Sequence, residues 1–352
     1  MQLRGSSEAK MNAAVTTKRL ATLVGCNYAG TPHELRGCIN DVLAMRDTLV
    51  GRFGFAPRDV AVLTDDERGA AVPAPTGANI KRALADMVAR AAPGDVLFFH
   101  YSGHGTLVPP PHGRRGREQD EAIVPCDFNL ITDVDFRELV DRVPRGASFT
   151  MVSDSCHSGG LIDQEKEQIG PSVDVDDDAT PPPAPAPARA RFLPYAVVLG
   201  HLSGASGVDA SHHVGDHILA LFGADASAKF HRRPNHHDAA PPAPARPDAG
   251  ILLSGCQWDE TSADVAEDDE AAEGGKACGA FSAALQAVLR AHPAPLSNRE
   301  VVARARAALR DQSFEQHPCL YCSDANAGAP FLGQQQEKEE EAAPAAAMPA
   351  LL

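Results

Sequence analysis

No apolar stretch in this 352-residue chain approaches the roughly 20 residues that a membrane-spanning helix requires. The amino-terminal run MQLRGSSEAKMNAAVTTKRL lacks the apolar centre of a secretory signal. Its arginines and serines, with few acids, leave an organelle transit sequence open, and the expected compartment is the cytoplasm. Positive charge is in short supply: 32 Lys and Arg stand against 47 Asp and Glu, a net charge of −15. That excludes non-specific binding to nucleic acid and suits cationic substrates or metal ions. No internal repeat is present. The eight cysteines are scattered through an unsecreted chain, so they read as reduced thiols and not as a disulfide framework.

What is there supports a sizeable core, since 43% of residues are hydrophobic, and the length suits one large domain or two ordinary ones. The first part alternates strand and helix patterns. RLATLVG, DVAVLT, DVLFFHY and ASFTMVS are short apolar runs, hence buried strands. GCINDVLAMRDTLVGRFGF, TGANIKRALADMVARAAPGD (with Thr76 as N-cap) and TDVDFRELVDRVPRG carry helical spacing and helix stops. Such alternation predicts an α/β fold with a mostly parallel sheet flanked by helices.

Composition then shifts. Proline–alanine repeats such as ATPPPAPAPARAR cannot build a core and favour extended, solvated chain, with at most a short ordered piece around DHILALFG. Regular pattern resumes at GILLSGCQ, a strand, followed by an acidic loop, two helices and HPCLYC as a last edge strand. The expected organisation is a flexible amino terminus (1–17), a large region (18–169), a linker (170–247), a small region (248–333) and a low-complexity tail (334–352).

Two blocks carry the chemistry, FHYSGHGTLVP and MVSDSCHSGGL. Each opens on an apolar run and ends in glycines around one reactive side chain, His104 and Cys156. Both fall just past the carboxyl end of a predicted strand, where open parallel sheets bind ligands. A thiol becomes a strong nucleophile when a base removes its proton, and imidazole suits that task near neutral pH. The neighbouring glycines let backbone amides approach an oxyanion. Together they read as a Cys–His dyad for peptide hydrolysis. His100, inside a strand, and His157, beside the nucleophile, are rival bases. The separation of about 50 residues is caspase-like.

These blocks resemble the catalytic His and Cys blocks of metacaspases, the caspase-like cysteine proteases. The resemblance extends over VGCNYAGTPHELRGCINDV, DEAIVPCDFNLITDVDFRELVDRVP, GILLSGCQWDETSAD and SNREVVARARAALRDQSFEQHPCLYC. With a long internal linker and no amino-terminal prodomain expected, the layout is similar to type II metacaspases, mostly from green plants and algae. It implies a caspase-like (caspase–hemoglobinase) fold with p20-like and p10-like regions, and a zymogen that cleaves protein or peptide substrates after Arg or Lys. The Gln-Ala-Cys-x-Gly block of true caspases is absent.

A cationic P1 side chain needs carboxylate acceptors; Asp41 and Asp154 are the expected pocket acids. The resemblance also implies calcium as cofactor, with Asp120, Asp133, Asp135 and Asp163 as candidate ligands. Val134 replaces an acid that the family commonly has in ITDVDF, which weakens that expectation. The later run SADVAEDDEAAE reads as a solvated acidic loop. A protease of this specificity will cut its own exposed linker, and among its basic residues Lys229 and Arg191, each followed by Phe, are the candidates, Lys229 preferred. Cys278 and Cys319 are candidate redox partners, with Cys319–Cys322 as an alternative. The chain is read as a monomer. Competing readings are a catalytically silent scaffold or chaperone-like relative, which the presence of both His104 and Cys156 disfavours, and a metal-binding module on the His pairs 212–213 and 236–237, which lack tetrahedral ligand spacing.

Overall fold

A computed structural model of the chain describes residues 17–66, 72–110, 119–162, 166–170, 189–231, 250–257, 260–266 and 275–333. Its centre is a seven-stranded sheet of order β2-β1-β3-β7-β10-β13-β8. β1 (Arg19–Gly25), β2 (Val60–Thr64), β3 (Val96–Ser102), β7 (Ser148–Asp154) and β10 (Ile251–Ser254) run parallel. β13 (Cys319–Tyr321) and β8 (Glu167–Ile169) add antiparallel pairs. β13 is therefore interior and β8 is the edge, contrary to the sequence expectation. Three residues of β8 are too few to carry a readable alternation.

Period-two alternation divides the core between the two sheet faces. On β3, Leu97, Phe99 and Tyr101 face one cluster, while Val96 and Phe98 face the other. The first cluster is covered by α2 (Gly77–Ala89) and α3 (Asp133–Val140). The second is covered by α1 (Cys38–Gly51), α7 (Ala280–Ala291) and α8 (Asn298–Asp311), with α9 (Asp324–Gly328) at its rim. The caps follow the sequence: Thr76 Oγ1 accepts from Asn79 N at 3.2 Å, and Thr132 with Asp135 forms a capping box.

Two small sheets lie beyond the carboxyl ends of the central strands. β4 (Gly105–Val108), β5 (Asp120–Ile123) and β6 (Ile131–Thr132) form one. β9 (Arg189–Ala190), β11 (Ala263–Val265) and β12 (Cys278–Gly279) form the other.

The linker differs most from expectation. Residues 189–231 are folded into β9, α4 (Tyr195–Ser206), α5 (Val214–Phe222) and α6 (Ala228–His231). Leu193, Val198, Leu202, Val214 and Ile218 join the same core cluster as Phe99 and Tyr101. The apolar content of YAVVLGHL and VGDHILALF is enough to dock helices there. Flanking proline repeats hide that signal.

Candidate active site

β3 and β7 are parallel neighbours with Ser102 opposite Asp154, so His104 and Cys156 leave adjacent strand ends at the same height. Both are buried. His104 Nε2 bonds the His33 carbonyl at 2.8 Å, which puts the ring proton on Nε2 and leaves Nδ1, which has no hydrogen-bond partner, as the basic nitrogen. The Tyr28 ring packs tilted against the imidazole, centroids 4.7 Å apart, and its hydroxyl accepts from His104 N at 3.0 Å. Burial pushes the imidazole down to about 4, so it is neutral and able to accept a proton. Cys156 Sγ accepts from Ser262 N at 3.0 Å.

The rival bases are accounted for otherwise. His100 points to the opposite sheet face, where Nε2 lies 3.4 Å from Ser282 Oγ and burial holds it down to about 4. His157 has a left-handed backbone (φ 51°) and meets the Phe192 ring edge-on at 4.8 Å.

Arg191, from the linker, lies across this edge. Its carbonyl oxygen accepts from Gly105 N at 3.0 Å and from Cys156 N at 3.3 Å. Those two amides converge where an acyl-transfer oxyanion would form. A Cβ at Gly105 would lie 1.9 Å from the Cys156 carbonyl oxygen, so only glycine permits this approach. On the far side, Leu193 N donates to Gly105 O at 3.0 Å, and Thr106 Oγ1 donates to Leu193 O at 2.7 Å. Arg191–Leu193 is thus held along the Gly105 backbone, with a single β-bridge at Phe192.

The Arg191 side chain is fully buried. Nη2 pairs with Asp41 Oδ2 and Asp264 Oδ1, each at 2.9 Å, and Nη1 with Asp154 Oδ2 at 3.2 Å. Nη1 also donates to Ser102 Oγ at 2.7 Å. Asp154 is held by Ser262 Oγ and Ser282 N, and Asp41 accepts from Ser102 Oγ at 2.6 Å. The wall is close: a Cβ on Gly279 would lie 2.1 Å from Asp154 Oδ2. Burial raises Asp41 to about 6 even though the guanidinium beside it pulls the other way. Asp41 and Asp154, predicted as pocket acids, therefore meet at one cation. Asp264 is a third, which the sequence reading assigned to a solvated acidic loop. It is instead buried on β11, anchored by Arg36 N and Gly37 N. The local clue is SADV, a strand-like alternation ending in the buried Val265.

The expected calcium residues divide. Asp120 and Asp133 converge on the ammonium of Lys229, Asp133 at 3.6 Å. Asp135 is engaged elsewhere: Oδ2 accepts from Thr132 N and Oδ1 from Ala228 N. Asp163 lies outside the described residues. Among the described residues no group of three or more His, Cys, Asp or Glu side chains converges as a metal centre. Glu121, next to Asp120, accepts from Gly160 N at 2.6 Å, and burial raises its carboxyl to about 7. It joins the acidic cluster to the loop after Cys156. Lys229, preferred for self-cleavage on sequence, pairs with Asp120 and Asp133, whereas Arg191 lies against the amides of Gly105 and Cys156. Cys278 and Cys319 lie on different sheets, and none of the eight cysteines is in a disulfide.

The caspase-domain family model matches residues 18–327. The chain is 55% identical over 325 residues to Metacaspase-9 of Arabidopsis thaliana, covering 90% of this chain and 97% of that one. It is 37% identical to Metacaspase-7 of the same plant, covering 89% and 99%. Among solved structures, protein GSU0716 from Geobacter sulfurreducens superposes with a TM-score of 0.57 over 88% of this chain and 97% of that one. At 20% identity it supports the fold alone.

Proposed function

Since the chain belongs to the caspase-domain family as a type II metacaspase, a cysteine-type endopeptidase, we propose that it cleaves protein substrates after Arg or Lys and processes itself at Arg191. One observation carries this reading: the guanidinium of Arg191 sits among three carboxylates while its carbonyl rests on the amides of Gly105 and Cys156. A substrate arginine in the same place presents its carbonyl carbon to the thiol.

The chemistry follows from the groups present. His104 Nδ1 takes the proton of Cys156 as Sγ attacks the P1 carbonyl, and the oxyanion is held by Gly105 N–H and Cys156 N–H. His104 returns the proton to the leaving amine, the C–N bond breaks and an acyl-enzyme remains. Water, deprotonated by His104, then releases the acid. The fork of an arginine matches several carboxylates at once, whereas a lysine offers one point charge, so Arg should exceed Lys.

Calcium activation is the second element. Asp120 and Asp133 suit a cation, as the lysine ammonium between them illustrates, and Asp163 is the remaining candidate ligand. Bound calcium would supply a double positive charge where Lys229 supplies a single one. Glu121 and its bond to Gly160 N connect that site to the catalytic loop.

The deciding experiment is hydrolysis of Arg-, Lys- and Asp-terminated fluorogenic peptides across calcium concentrations, with mass spectrometry of the self-cleaved chain. Cleavage after Arg191 and an Arg preference support the reading. Cleavage only elsewhere, or turnover of Asp peptides, overturns it; full activity in chelator removes the calcium element alone.

A further inference from the structure

Cys256 is a buried thiol that the mechanism does not use. Its place follows from sheet register. β7 and β10 are parallel neighbours, with Ser254 opposite Ser153 and Gly255 N donating to Ser153 O at 2.8 Å. Continuing past both strand ends brings Cys256 level with Ser155, one residue from Cys156. The side-chain contacts agree. Cys256 Sγ approaches the carbonyl of Ser155 at 3.7 Å and that of Glu260 at 3.6 Å. Cys156 Sγ takes its hydrogen bond from Ser262 N, two residues further along the same loop. Both sulfurs thus lie between the turn at 155–156 and the turn at 260–262.

Adjacent strands run about 4.8 Å apart, and disulfides span Cα separations of about 4.4–6.8 Å. Cys256 falls opposite Ser155 and not Cys156, so one residue's rise of about 3.3 Å combines with the strand spacing to give a Cα separation of about 6 Å, inside the bridging range. The two thiols also differ in character. Contact with Cys156 and burial both raise Cys256, keeping it protonated, whereas Cys156 has His104 to take its proton.

We propose that Cys256 is a resolving thiol for the nucleophile, so that a hydroperoxide converts the active site reversibly to a Cys156–Cys256 disulfide. The Cys156 thiolate attacks one peroxide oxygen; the O–O bond breaks and water (or an alcohol) leaves, giving a sulfenic acid. Cys256 sulfur then attacks Cys156 sulfur, and the S–O bond breaks. The hydroxide leaves as water with the Cys256 proton. The thiol pair loses two electrons and the peroxide gains them. Two equivalents of an external thiol reverse the bridge. Without a resolving partner the sulfenic acid proceeds to sulfinic acid, which thiols do not restore. Arg191 lies against the backbone of Cys156 in the uncut chain, but any state that admits a peptide to Cys156 admits a hydroperoxide. The inference rests on Cys156 being the reactive thiol, and not on P1 preference or calcium.

The test uses the full self-cleaved enzyme. Wild type, Cys256→Ser and Cys256→Ala are exposed to a small excess of hydrogen peroxide, then to dithiothreitol, and assayed on a peptide substrate. Tryptic peptides are mapped without reduction. Expected is one linked pair joining the Cys156 and Cys256 peptides in the wild type. Thiol-restored activity should be about five- to tenfold greater in wild type than in either variant, whose Cys156 should carry sulfinic acid. The linkage map needs no variant, so a folding defect in one leaves it intact. Equal recovery in all three proteins, or Cys156 linked to a different cysteine, would falsify the assignment. Absence of any Cys156 oxidation would instead count against its being the reactive thiol.

Discussion

The linker sends two basic residues into acidic surroundings, and the two places are built differently. Arg191 is fully buried, with both terminal nitrogens shared among Asp41, Asp154 and Asp264. Lys229 is a partly exposed point charge between Asp120 and Asp133, its side chain 19% accessible. Taking three carboxylates and a guanidinium out of water is expensive unless each is also hydrogen-bonded, and here Ser102, Ser262, Ser282, Gly279 and the 36–37 backbone provide those bonds. Losing one partner from such a set is costly. The Lys229 contact is partly exposed and is worth little by itself. One place encloses its cation on every side; the other leaves it partly open to solvent.

The comparison can be broken most severely by removing the chemistry that links the two places. Cys156→Ala is expected to abolish peptidase activity and leave the chain uncut after Arg191, read by fluorogenic assay and intact mass; His104→Ala should lower kcat about 10²–10⁴-fold. Next, Asp154→Ala strands a buried guanidinium and should cost about 2–5 kcal/mol of Arg-substrate transition-state binding, seen as lost kcat/KM on Arg and Lys peptides together. Asp264→Ala tests the acid that sequence reading missed and should shift the same readout. If its kinetics match wild type, Asp264 only closes the zymogen.

A third prediction sharpens the pocket through pH. Burial holds Asp41 at about 6, above the usual carboxylate value, even with Arg191 beside it. A raised carboxyl binds its proton more tightly in the folded chain, so the pocket loses charge as pH falls through about 6. KM for an Arg peptide should therefore rise below that pH, while kcat, whose His104 titrates near 4, changes less. Asp41→Asn should erase this limb of the pH profile. The smallest effect belongs to Lys229→Met. Thermal stability should change by no more than about 1 kcal/mol, while the calcium concentration for half-maximal activity falls.

The same contrast explains what was legible in the sequence. His104 and Cys156 could be found because a buried strand followed by glycines is a local pattern, and Asp41 and Asp154 because each lies in a recognisable block. The five parallel strands were readable for the same reason. Asp264 was hidden because it begins a run of acids, and only its pairing on β11 separates it from its solvated neighbours. Cys256 announces nothing locally, since its proximity to Cys156 arises from the register of β10 on β7. Helices α4 to α6 lie between proline-rich flanks that dominate composition. The sequence could not separate Lys229 from Arg191 as a cleavage site, because local context, a following phenylalanine, is identical at both. Only the tertiary arrangement tells which one reaches the thiol.

The docking of residues 192–231 changes what a broken bond means. Leu193, Val198, Leu202, Val214 and Ile218 are essentially inaccessible to solvent, and each contributes about 1.5–3 kcal/mol by burial. Scission after Arg191 severs one peptide linkage and none of those contacts. A denaturing gel should then display two bands while a sizing column displays one particle, with Phe192 as a new amino terminus still beside His157. Counting bands measures how many chains have been cut; counting molecules that accept a covalent thiol probe measures how many sites have opened, and the two tallies need not rise together.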